Sequence, residues 1–207
     1  MTTNDYKLVQ TRYSFDLPPL YRELQTAGCF DYTQPEKVIL FTDHEWMSLQ
    51  EIAHFEFYEW QNKSREFFIP FARTRRRHTY GWRKDWINGE EAEIVFCEHG
   101  PFGSGFALDF RAFLYRMLLQ EFSGTSLLKS PNDGNGKAKI RRAVQVICPR
   151  LPTDWARRID ELSRQPWYTE DKMNRVYSMA HCETIIQMDL SFPHLDEEFR
   201  QGELTIG

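Results

Sequence analysis

Phe67-Phe68-Ile69-Pro70-Phe71-Ala72, followed by His78-Thr79-Tyr80-Gly81-Trp82 and Ala92-Glu93-Ile94-Val95-Phe96-Cys97, is the stretch whose texture decides the fold. Each run is short, rich in aromatic and β-branched residues, and bounded by polar or turn-forming ones. Together they read as three antiparallel strands. Asn88-Gly89 stands between the second and third. Both residues tolerate positive φ, so the dipeptide predicts a hairpin turn there.

Upstream, Met47-Ser48-Leu49-Gln50-Glu51-Ile52 carries a capping box, with Ser48 and Glu51 three apart and Met47 and Ile52 at the staple positions. A helix is predicted to start at Ser48, with Leu49, Ile52, Ala53, Phe57 and Trp60 on one face and Glu51, Glu56 and Glu59 elsewhere. Val38-Ile39-Leu40-Phe41 before it has the look of a strand. Further back, Asp16-Leu17-Pro18-Pro19-Leu20-Tyr21-Arg22-Glu23-Leu24 reads as a helix start with proline in its first turn, and Gly28 is placed to end it.

Downstream, the glycine-rich Gly100-Pro101-Phe102-Gly103-Ser104-Gly105 reads as a turn. Asp109 can cap a helix whose stripe is Phe110, Phe113, Leu114, Met117 and Leu118, running to Gly124. Ser130-Pro131-Asn132-Asp133-Gly134-Asn135-Gly136 is linker-like, which predicts a domain over 1–129 and a mostly helical extension over 137–207 packed on it. In that extension Ile140, Ala143, Val144 and Ile147 predict one helix ended by Pro149. Trp155, Ile159 and Leu162 predict another, and Met173, Val176, Tyr177 and Ala180 a third, before a strand at Thr184-Ile185-Ile186-Gln187-Met188.

At 207 residues the chain suffices for one well-cored domain, or for a domain of about 130 residues with a helical extension. No stretch approaches the roughly 20 apolar residues of a membrane span, and the first residues lack a signal-peptide pattern, so a cytoplasmic location is expected. Cys29, Cys97, Cys148 and Cys182 are scattered without a C-x-x-C pair and read as free thiols. The net charge of −4 conceals alternating blocks: residues 65–86 carry seven basic and two acidic side chains, and residues 137–164 eight and three, between acidic flanks. Blocks of both signs suit a protein partner better than bare nucleic acid.

Three clusters invite a chemical reading. Cys97 and His99 alternate on a strand, but same-face neighbours two apart stand roughly 6–7 Å from each other, too far for a nucleophile and its base. His44, Glu45 and His54 do not share the spacing of a metal site. Gly100 to Gly105 lacks the ending of a phosphate loop and the serine of a hydrolase elbow. No catalytic residue, metal or cofactor is assigned. The basic run of Arg73, Arg75, Arg76, Arg77, Arg83 and Lys84 is interleaved with Tyr80, Trp82 and Trp86. It suits a solvated hairpin, a protein interface or a nucleic-acid surface. Glu90, Glu91, Glu93 and Glu98 follow, acidic side chains able to mimic phosphates before a basic partner site.

The order of these pieces resembles the SUKH superfamily, which includes immunity proteins of bacterial polymorphic toxin systems. The resemblance spans residues 15 to about 123. It rests on Leu17 to Leu24 ending at Gly28, on Ser48-Leu49-Gln50-Glu51-Ile52, on Phe68-Ile69-Pro70-Phe71-Ala72, and on Phe106-Ala107-Leu108-Asp109-Phe110-Arg111-Ala112-Phe113-Leu114. Where members carry a small acidic stretch after the Ile-Pro-Phe-Ala segment, this chain has Arg73-Thr74-Arg75-Arg76-Arg77-His78. The resemblance implies an α+β fold, a mainly antiparallel sheet flanked by helices, and neutralisation of a cognate toxin by stoichiometric binding rather than catalysis. The expected contact residues are Arg75, Arg76, Arg77, Tyr80, Trp82, Trp86, Glu90, Glu91, Glu93 and Glu98, with a toxin as partner and no membrane or small-molecule substrate. The competing reading is a nucleic-acid-associated regulator using the basic hairpin.

Overall fold

A computed structural model describes residues 3–58 and 66–201. It is an α+β fold built on one six-stranded antiparallel sheet of order β1-β2-β3-β4-β5-β8. The strands are β1 (Glu45–Trp46), β2 (Phe68–Arg73), β3 (Thr79–Asn88), β4 (Glu91–Cys97), β5 (Phe102–Ala107) and β8 (Glu198–Arg200). A separate hairpin pairs β6 (Tyr168–Glu170) with β7 (Met173–Arg175). The helices are α1 (Thr3–Tyr13), α2 (Pro19–Thr26), α3 (Leu49–Ala53), α4 (Phe110–Ser123), α5 (Gly134–Ile147), α6 (Thr153–Ser163) and α7 (Met179–Asp189). Among the described residues no helix is long and apolar enough to cross a membrane.

The chain forms two compact units. The first comprises residues 1–38, 44–110 and 192–207, and holds the sheet with α1 to α3. Its core is aromatic: the fully buried Trp82 on β3 meets Tyr21 edge-on at 5.0 Å and Phe71 at 4.4 Å, and Phe30 stacks on Trp46 at 4.1 Å. Such pairs add about 1 kcal/mol each beyond the area they bury. Gly81 is obligatory beside this cluster, since a Cβ there would lie 2.3 Å from the Phe68 ring. The three central strands form as their texture predicts, and Gly89 turns the β3–β4 hairpin at φ +63°.

The second unit comprises residues 39–43 and 111–191. The linker-like stretch lies within it and starts α5: the Asp133 side chain accepts from the Asn135 and Gly136 amides. Ile140, Ala143 and Ile147 form the buried stripe of α5, and Ile159 that of α6. A 3-10 turn over Cys148–Arg150 containing Pro149 separates the two helices.

Several local expectations are corrected. Val38, Ile39 and Phe41 are buried, but the segment forms no strand. The Val38 amide donates to the Gln34 carbonyl at 3.1 Å, and the Thr42 amide that follows donates to the Glu121 carboxylate. The helix from Ser48 has its capping box but stops at Ala53, where the Arg12 guanidinium takes the Ala53 and Phe55 carbonyls. Trp60 and Glu59 lie outside the described residues.

Residues 102–107 are a strand, not a turn. Its glycines admit a late segment of the chain: a Cβ on Gly105 would sit 1.8 Å from the His194 carbonyl oxygen, and one on Gly103 2.6 Å from the Phe199 ring. Met173 to Arg175 is a strand, while Thr184 to Met188 belongs to α7, which Ser178 caps by accepting from the His181 amide. The region after residue 137 is therefore not only helical, since β6, β7 and β8 are also in it.

Candidate binding surface

β3 separates the expected contact residues into three groups. At its start, Arg75, Arg76 and Arg77 are exposed in the β2–β3 turn, where Arg77 adopts φ +64°. The turn is tied internally: the Thr74 amide donates to the His78 carbonyl at 2.9 Å, and the buried Thr74 hydroxyl accepts from the Arg76 and His78 amides. Glu98 is exposed at this same end, just beyond β4.

In the middle of the sheet Tyr80, Trp82 and Glu93 are buried, at 8%, 0% and 2% exposure. Sequence reading offered them as contact residues; alternation turns Tyr80 and Trp82 into the aromatic core, while Glu93, paired in register with Arg83, lies on the opposite face, where His194 covers it. Glu93 bonds His194 Nδ1 at 2.8 Å.

At the far end of β3, the last pair with β2 is Phe68 with Arg83, so the hairpin continues past its neighbour. Glu90 is exposed at the tip, and Glu91 accepts the Phe110 amide. Trp86 is half-buried: it stacks on His194 at 4.0 Å and lies under the Arg83 guanidinium at 3.7 Å. Ten residues of strand place the arginine turn and this acidic tip roughly 30 Å apart, so they cannot form one small site.

The arginine end opens into a cleft. A depression of about 440 Å³ is lined by Arg73, Arg75 and Arg77 on one side and by Phe55, Glu56 and Tyr58 on the other. It shares Glu45 and Arg73 with a second depression of about 260 Å³ that reaches Tyr32 and Trp46. On the other flank it shares Phe55 and Glu56 with a third, of about 650 Å³, reaching Arg12 and His54. The three depressions are neighbours along β1 and residues 54–58, joined through shared lining residues.

No protein-family model, curated protein or solved structure matches this chain.

The groove carries both signs of charge. Arg73 bridges Glu45 at 3.3 Å and Glu51 at 3.1 Å, and both partners are about half exposed. Glu51 is also the capping-box residue, so the start of α3 and this arginine are fixed together. The Tyr32 hydroxyl accepts from the Trp46 amide at 2.9 Å, and burial raises its pKa. Tyr58 meets His99 edge-on at 5.0 Å.

The enzyme-like neighbours do not assemble a reacting pair. Burial drives the Cys97 thiol far above its usual range, while His99 is exposed beyond the strand end with its amide on His78 Nδ1. His44 is buried beside Trp46, and burial holds its imidazole down at about 3, so it is neutral at physiological pH. Among the described residues, no group of three or more His, Cys, Asp or Glu side chains is placed to hold a metal ion. Sequence reading missed the groove because its walls come from α1, β1 and residues 54–58. Arg12 and Glu56 carried no local mark distinguishing them from other surface charges.

Proposed function

We propose that this chain is an immunity protein of the SUKH type that neutralises a toxin by stoichiometric binding, and that the arginine end of the sheet is its contact surface. The observation that carries the reading is the row of three adjoining depressions, mixed in charge and lined by arginine and aromatic side chains. Arginine and tyrosine are the residue types over-represented where truncation costs a protein interface most. The alternation of Arg12, Glu56, Arg75, Arg73 and Glu45 suits a polypeptide carrying both signs of charge. A phosphate backbone would be repelled by the glutamates. The antiparallel α+β architecture agrees with the resemblance in residues 15 to 123.

The test is co-expression with the toxic C-terminal domain of a large protein encoded beside its gene. The expected result is rescued growth and co-elution of the two proteins in equal amounts. Arg75→Glu with Arg77→Glu should weaken binding about tenfold or more, with most of the salt dependence lost. Absence of rescue and of co-elution sinks the reading. Salt-sensitive retention on DNA or RNA, lost in an Arg75→Ala, Arg76→Ala, Arg77→Ala variant, would replace it by the regulator.

A further inference from the structure

The second unit holds a cleft of its own, independent of the toxin-binding reading. Lys137, Arg141 and Val144 stand four and three residues apart on α5, so they share one face, and Arg164 at the end of α6 lines the opposite wall. Between them lies an apolar floor. Ile140 and Phe122 are 4% and 1% exposed, and the half-buried Trp167 ring stands 5.8 Å from that of Phe122. Among the described residues no carboxylate lines the cleft.

The charge there is unbalanced. Arg164 is paired with Asp160 at 2.5 Å, but Lys137 and Arg141 have no acidic partner among the described residues. The carbonyl end of α6 contributes at most about half a negative charge, against two unpaired full positive ones. The volume of about 260 Å³ lies below the usual range for drug-sized ligands, roughly 300–1,000 Å³, and suits one large side chain.

We infer that this cleft binds an acidic peptide segment of a partner protein, seating one large apolar side chain on Ile140, Val144 and Trp167 while flanking carboxylates meet Lys137 and Arg141. A nucleic acid fits less well. Its phosphates would satisfy the cations and a base could meet Trp167, but a cleft of about 260 Å³ has room for one large side chain and not for successive nucleotides.

The experiment is selection of a random peptide library on the intact immobilised chain. Selected peptides should carry a large apolar residue close to two or more carboxylates. A synthetic copy of the most enriched one should bind about tenfold more weakly to the Lys137→Glu, Arg141→Glu variant. The matched variant Lys139→Glu, Arg157→Glu changes net charge equally but lies outside the cleft, and it should retain binding. Lys137→Gln with Arg141→Gln, a milder pair, should give an intermediate loss, and far-ultraviolet circular dichroism checks that every variant is folded. Peptides selected without acidic residues, or equal losses in the cleft and matched variants, overturn the inference. So does a single-stranded oligonucleotide that binds in the same cleft more tightly than the peptides.

Discussion

Individual side chains set two properties that are open to measurement. Glu121 is fully buried in the second unit, and desolvation lifts its pKa from an ordinary 4.5 to about 7 despite bonds accepted from the Thr42 amide and the Thr42 and Thr125 hydroxyls. Between these values the folded chain holds a proton that the unfolded chain has lost. Stability conferred by the neutral carboxyl therefore falls as pH rises from about 4.5 to 7, then levels off. The change amounts to about 3 kcal/mol. Urea denaturation at pH 5 and pH 8 should show this loss in the wild type and a much flatter response in Glu121→Gln. A pH-independent midpoint in the wild type contradicts the assignment. The second property is steric. Gly105→Ala should destabilise the first unit by about 2 kcal/mol or more, because its Cβ would strike the His194 carbonyl, whereas Gly100→Ala meets nothing within 4 Å and should be neutral. Thermal denaturation of the two variants compares them directly.

At the level of elements, α3 matters beyond its five residues because it orients one wall of the groove. Ser48→Ala removes half of the capping box and should cost about 1 kcal/mol. Because Glu51 then keeps the residue-48 amide but loses the Ser48 hydroxyl while still paired with Arg73, partner binding should weaken slightly as well. Denaturation midpoints and binding titrations on the same protein separate the two effects. The capping box, the Asn88-Gly89 turn, the three central strands and the helices on either side of Pro149 were legible in the sequence, since each is decided by residues a few positions apart. What was not legible depends on distant contacts. β5 was read as a turn because its glycines serve a segment about ninety residues away. Thr184 to Met188 has strand-like composition. Yet Cys182, Ile185, Ile186 and Leu190 are buried at helical spacing, a signal that was available but weaker to the eye than two adjacent isoleucines. Of the expected contact set, Arg75, Arg76 and Arg77 are exposed while Tyr80, Trp82 and Glu93 are buried, because a run of aromatics and charges does not declare which strand face it occupies.

Across the whole molecule, the first unit is discontinuous in sequence: the chain leaves it after Phe110, builds the second unit, and returns at Phe192. The return is well fastened. β8 pairs with β5, His194 lies between Glu93 and Trp86, and Arg83 covers both Trp86 and Phe199. The fully buried Gln201 side chain reaches the Glu98, Gly100 and Phe102 carbonyls within 3.1 Å. Removing residues 192–207 should therefore lower the stability of the first unit and promote self-association through the uncovered β5 edge, with amide protection in α5 and α6 unchanged. Hydrogen exchange with size-exclusion chromatography tests both parts, and an unaltered first unit would show that the return is dispensable.

The late arrival of β8 has a consequence during synthesis. At roughly 5–20 residues per second, a ribosome reaches β8 some 5–18 s after finishing β5. For that interval the nascent sheet has an unpaired border carrying Phe102 and two bare glycines, next to a neighbouring chain on the same polysome that exposes the same border. Crowded translation is thus the circumstance in which this protein is most open to mispairing. Slowing synthesis after residue 107 should lengthen the exposure and lower the soluble yield, and supplying a holdase chaperone should restore it.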